Sequence, residues 1–220
     1  MKPKNRLLVG LIVLGAISPM PGRAAEPAAG IATAAPDFVE KRITPAQYRE
    51  ILKGGFVLYM RHGSTDNSRG DRVPSVDLND CTTQRTLSDE GRELMKRVGR
   101  SMREAGVPLG EILVSPMCRT KESAQLAIGD KFTLSEPLMY SANMTSAEKR
   151  PRLESLKNLL AAPVPAGGNR LLVAHAPNLA DLIGFFVKPE GNVVVFRPLG
   201  RAGYEYIGSI HPDDWRGLAK

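Results

Sequence analysis

The stretch FVLYMRHGSTDNSRGD, residues 56–71, decides the fold. Phe56 to Met60 form an unbroken apolar and aromatic run of strand length, the pattern of a strand covered on both faces. Arg61, His62 and Gly63 follow at once. Strands of that kind belong to parallel sheets flanked by helices, where ligands bind beyond the carboxyl ends of the strands. The pattern recurs twice: EILVS (111–115) runs into PMCRT, and RLLVAH (170–175) runs into APN.

Helices are expected between these strands. Thr44 and Pro45 open one that Gly54 and Gly55 close. Ser88, Asp89 and Glu90 suit the start of LSDEGRELMKRVGRSMREAG, in which Leu94, Val98, Met102 and Ala105 recur at helical spacing. RTKESAQLAIG from Arg119 and PNLADLIGFFV from Pro177 follow the second and third strands. SAEKRPRLESLKNLLAA (146–162) carries a helix broken or begun at Pro151. NVVVFRP and YEYIGSI, joined by a turn over Gly200–Gly203, read as a final strand pair. The alternation predicts an α/β domain, a three-layer α/β/α sandwich with a mostly parallel central sheet and an antiparallel edge addition. Residues 63–87 are polar and aperiodic, a loop long enough to expect a function for it.

The chain has 220 residues, 42% hydrophobic and 24% charged, which suits one soluble domain and excludes a polytopic membrane protein. Its head has the layout of a secretory signal peptide: basic MKPKNR, apolar Leu7–Ile17, then SPMPGRAAEP, with cleavage expected after Ala24. The apolar run is well short of the roughly 20 residues that span a bilayer, so no stable membrane span is expected after cleavage. A periplasmic or secreted location follows. Removing residues 1–24 takes away Lys2, Lys4, Arg6 and Arg23 and no acid, so the formal charge falls from +7 to +3. That is too mild to point to a nucleic acid partner. Residues 25–43 read as a flexible leader and 44–220 as the domain. In an exported protein Cys81 and Cys118 are either a disulfide or two buried thiols. His62, His175 and His211 are too dispersed for a metal cluster, so neither metal nor other cofactor is expected; His211, past the last strand, reads as a surface residue.

The three strand ends deliver Arg61 with His62, then Arg119, then His175, and no matching cluster of acids stands at the same points. Buried cations without acids call for an external anion. Phosphate fits, because guanidinium forks match its oxygens and helix N-termini add N–H donors.

LYMRHGSTD, LVSPMCRTKESAQLA and LLVAHAPNL together resemble the three signature segments of the histidine phosphatase superfamily, the phosphoglycerate-mutase-like fold. DCTTQRTLSDEGRE resembles the loop and helix start of its exported members. The resemblance implies that His62 takes the phosphoryl group while Arg61, Arg119 and His175 hold its oxygens, without a metal. It implies a phosphatase acting on a small phosphorylated substrate; the expected envelope location adds phosphorylated sugars of lipopolysaccharide or scavenged phosphate esters as candidates. A phospho-ligand-binding protein without turnover, and a mutase-type phosphotransferase, are the alternatives. Where members with a mutase-like acid place a Glu, this chain has Leu138-Met139-Tyr140. Glu136 and Asp66 are then the candidate proton donors. Thr65 and Asn67 are candidate substrate-binding residues.

Overall fold

The computed structural model describes residues 38–68 and 70–218. The expected signal peptide and most of the expected leader lie outside them. A six-stranded sheet runs in the order β3-β2-β4-β1-β5-β6, built from β1 (Val57–Arg61), β2 (Leu109–Val114), β3 (Thr133–Leu134), β4 (Asn169–Ala174), β5 (Val193–Pro198) and β6 (Tyr204–Ile210). β3, β2, β4 and β1 are parallel. β5 pairs antiparallel with β1, and β6 antiparallel with β5. The parallel core and antiparallel edge are those the strand pattern predicts. β3 was not legible, being only two exposed residues on the sheet edge.

Alternate residues of β1 feed two cores. Leu58 and Met60 pack with Met95, Val98 and Met102 of α2 (Asp89–Glu104) and Ala124 and Ala127 of α3 (Cys118–Ile128). Val57 and Tyr59 pack with Leu156 and Leu160 of α4 (Ser146–Ala161) and Leu179 of α5 (Ala176–Ile183). α1 (Pro45–Ile51) lies with the first core, joined by Trp215 of α6 (Trp215–Leu218). Every residue of Val57–Met60 is fully buried, and the one polar group in that stretch, the Tyr59 hydroxyl, is hydrogen-bonded.

Three local expectations are corrected. The packed chain begins before residue 44: Ile43 is buried, Phe38 stacks on Phe185 at 4.4 Å, and Arg42 bridges Ser209 alongside β6. Scattered apolar anchors hold this segment, without a periodicity that could announce it. α4 is neither broken nor begun at Pro151. A capping box between Thr145 and Glu148 fixes its start five residues earlier, and the helix continues through the proline. α5 does not run on to Val187, because Gly184 takes the left-handed conformation at φ 76° and ends it.

Gly91 serves the site directly. α2 approaches the chain after His62 so closely that a Cβ on Gly91 would fall 1.9 Å from the Ser64 carbonyl oxygen. Only glycine permits this approach.

Candidate active site

Strand register assembles the site. Arg61 of β1 stands opposite Ala174 of β4, and Val114 of β2 opposite Val173. The next residues leave the sheet together: His62 N–H donates to Ala174 O at 3.1 Å and Ser115 N–H to Val173 O at 3.0 Å. His62, Ser115 and His175 therefore emerge at one edge, with Arg119 in the first turn of α3. The rings of His62 and His175 meet edge to face, centroids 5.3 Å apart. Gly63 N–H donates to Ser123 Oγ, which donates to Arg119 O, tying the end of β1 to α3.

His62 is buried, and its Nδ1 lies 2.7 Å from the Gly63 carbonyl. A carbonyl only accepts, so this contact assigns the proton to Nδ1 and leaves the lone pair on Nε2. Burial, then the charges of Arg119, Arg61 and Arg85, hold the imidazole well below its ordinary pKa. His175 is fully buried and held low by burial, then by Arg119 and His62. The Tyr59 hydroxyl braces it, donating to His175 O at 2.7 Å and accepting from His175 N–H at 3.2 Å. His175 Nε2 lies 2.8 Å from Ser115 Oγ, while its Nδ1 is buried without a partner. If the serine donates, Nδ1–H is free to donate to an anion.

Both lowered pKa values have a consequence for stability. The unfolded chain takes up these protons near pH 6.5, whereas the folded chain refuses them until lower pH. Stability is therefore full above pH 6.5 and falls below it, by about 1.4 kcal/mol per pH unit for each histidine once the unfolded form is protonated. Urea unfolding between pH 6 and pH 5 should show a loss approaching about 2.7 kcal/mol per unit. A flat profile would mean the imidazoles are protonated in the fold.

The arginines have acids that the strand ends alone did not suggest. Arg119, 0% exposed, pairs with Asp71 at 2.9 Å. Arg61 donates to Val187 O at 2.7 Å and to Glu190 at 2.5 Å. The expectation of cations without acids is thus corrected: both acids come from loops distant in sequence. The pairing is incomplete, however. Arg61 Nε, Arg85 Nε, and Arg119 Nε and Nη2 are buried without hydrogen-bond partners, as is His175 Nδ1. Unmet buried donors on three arginines, with the unpartnered His175 Nδ1 beside them and two carboxylates between them, make an anion cradle.

Arg85 is the site residue that sequence reasoning missed. Its charge acts on His62, His175, Arg61 and Arg119, and its main-chain N–H donates to Asp71 Oδ1 at 2.8 Å. It lies on the aperiodic loop, and the only signal was the likeness of DCTTQRTLSDEGRE to a family loop. Tyr140 is the second. Its ring lies 4.9 Å from the Arg119 guanidinium and 5.3 Å from the His175 ring. Of the other candidates, Thr65 pairs with Leu87 as an isolated bridge. Asn67 is exposed and accepts from Arg85 at 3.4 Å. Asp66 is exposed and accepts from Ser68 N–H. Glu136 is exposed in the turn after β3. His211 contacts Glu40 at 3.0 Å.

Cys81 and Cys118 are joined in a disulfide, which resolves the two readings of the pair. Beside it Gln84 Oε1 accepts from Cys118 N–H at 2.8 Å. That first amide of α3 is therefore not open to a ligand. Both links fasten the loop carrying Arg85 to the helix carrying Arg119. With its two cysteines 37 positions apart in sequence, the bond should contribute about 4 kcal/mol by restricting the unfolded chain. Denaturant unfolding of Cys81→Ser/Cys118→Ser should show that loss; an unchanged midpoint would refute it.

Residues 57–138 match the model of the histidine phosphatase superfamily, branch 1. His175 lies beyond that match, and the register above places it beside His62. No curated protein matches the chain. An Escherichia coli protein described as an alpha-ribazole-5'-P phosphatase shares the fold at TM-score 0.52 and 16% identity, covering 71% of this chain and 97% of its own. The protein histidine phosphatase SixA with tungstate aligns at TM-score 0.48 and 16% identity over 71% and 97%. An Entamoeba histolytica phosphoserine phosphatase with 3-phosphoglyceric acid aligns at 0.46 and 15% over 64% and 89%. Residues 57–138 thus carry the match to the histidine phosphatase superfamily, and the chain shares the fold of the Escherichia coli protein.

Proposed function

We propose that this protein is an exported, metal-independent phosphatase that hydrolyses small phosphate monoesters through a phosphohistidine on His62. One observation carries the reading: the lone pair on His62 Nε2 stands beside buried, unpartnered donors of Arg61, Arg85, Arg119 and His175. Nε2 attacks phosphorus, the bond to the ester oxygen breaks, and its electron pair leaves on that oxygen, which takes a proton. Water then attacks the phosphohistidine, the N–P bond breaks, and phosphate departs. The cationic donors balance charge on the equatorial oxygens throughout, the work a metal does elsewhere. Export is supported by the basic-then-apolar head of the chain and by the disulfide.

For the proton we choose Tyr140 over Glu136 and Asp66. Its ring lies against both Arg119 and His175, and a phenol is far more acidic than an alkyl alcohol. Tyr140→Phe should slow alkyl phosphates by about 10²-fold and barely affect p-nitrophenyl phosphate, whose leaving group needs no proton. Equal loss on both substrates would remove Tyr140 from that role.

The direct test is steady-state hydrolysis of p-nitrophenyl phosphate with chelator present. Turnover is expected to persist. Phosphate binding without turnover would favour the alternative, a protein that captures phosphorylated ligands.

A further inference from the structure

We propose that the apolar groove beside the arginine cradle is the leaving-group site, and that the substrates are phosphate monoesters of apolar alcohols or phenols. This rests on the phosphatase reading above. The groove has a volume of about 210 Å³. Val76 and Leu78 of the long loop line it, with Met117, Met139 and Met144.

Two residues join the groove to the cradle. Asp71, bonded to Arg119, lines it, and so does Tyr140, whose ring lies against Arg119 and His175. Met117, two residues before Arg119, forms another part of the wall. An ester whose phosphate sits among the arginines therefore has this groove directly beside it for its alcohol.

The two carboxylates that reach the groove are already engaged. Asp71 Oδ1 accepts from Arg119 and from Arg85 N–H. Glu148 Oε2 accepts from the Thr145 N–H and hydroxyl at 2.8 and 2.7 Å. Arg72 Nε donates to Ser75 O at 3.3 Å. Ser75 and Asn143, which also line it, are exposed to water. A sugar would press part of its hydroxyl surface against methionine, valine and leucine, losing hydrogen bonds to water on that face. An alkyl or aryl group loses nothing comparable. Methionine also adapts to varied apolar shapes. A cavity of roughly 150 Å³ suffices for benzene, so this groove suits one ring or a chain of about six carbons. The expectation of a phosphorylated envelope sugar gives way to an apolar ester.

Straight-chain alkyl phosphates test this cleanly, because the leaving-group pKa hardly changes along the series while the buried area grows. From ethyl to hexyl phosphate kcat/KM should rise about fourfold per methylene, then level off. Hexyl phosphate should exceed glucose 6-phosphate, and Met144→Asp should flatten the rise. A flat wild-type series, a preference for glucose 6-phosphate, or an undiminished slope in Met144→Asp would overturn the groove assignment. Absence of turnover on every ester, p-nitrophenyl phosphate included, would instead overturn the phosphatase reading beneath it.

Discussion

His62→Ala is expected to lose about 10⁴- to 10⁶-fold in kcat, the size of loss seen when a nucleophile is deleted. On the proposed mechanism this side chain is the nucleophile. Its Nδ1 is committed to Gly63 O, which fixes the ring and leaves the lone pair on Nε2. Burial and the three arginines keep it neutral, so the lone pair is present at neutral pH. His175 cannot substitute, because its Nε2 faces Ser115 Oγ. Phosphate affinity should survive in this variant, since the donors on Arg61, Arg85, Arg119 and His175 remain. Calorimetric titration with inorganic phosphate, set beside p-nitrophenyl phosphate hydrolysis, separates the two effects. Retained hydrolysis in His62→Ala would place the nucleophile elsewhere.

Arg119→Ala should do two kinds of damage. Loss of its donors removes stabilisation of the equatorial oxygens, about 10²- to 10³-fold in kcat/KM. It also strands Asp71, whose side chain is only 7% exposed and whose one cationic partner at the site is Arg119 among the described residues. Breaking a buried pair from one side costs about 3–5 kcal/mol, because an uncompensated charge stays behind. The two effects come apart in Arg119→Met/Asp71→Asn, which replaces both charges. That variant should recover most of the stability in urea unfolding and none of the activity. Recovery of both would mean that Arg119 serves only to neutralise Asp71.

Much of this site could be read from the strand ends. A buried run such as Phe56–Met60 has no reason to end in Arg61-His62 unless the carboxyl edge of the sheet is used. The same holds for Val114 running to Arg119 and Ala174 to His175. Register then brings those ends together, as parallel pairing demands. Arg85, Asp71 and Tyr140 were not legible in the same way. They lie on aperiodic segments whose positions are set by tertiary links: the disulfide, the Gln84 bond to Cys118 N–H and the Asp71 pair for the long loop, and the bonds from Asn178 to the Leu138 and Met139 carbonyls beside Tyr140. Such links leave no periodic trace. For the same reason Glu190 went unread as the partner of Arg61, and Phe38–Ile43 as part of the packed chain. The turn at Gly184 is a subtler case. PNLADLIGFFV keeps an apolar pattern through Val187, and a single glycine in the left-handed conformation outweighs it.

The most direct test of the account is a rapid-quench experiment on the wild-type protein with a radiolabelled aryl phosphate. Label should enter the protein before steady state, to about one phosphoryl group per chain, in a form lost in acid and stable in base, and none should enter His62→Ala. Hydrolysis at the full rate with no labelled protein at any time would contradict a phosphohistidine on His62.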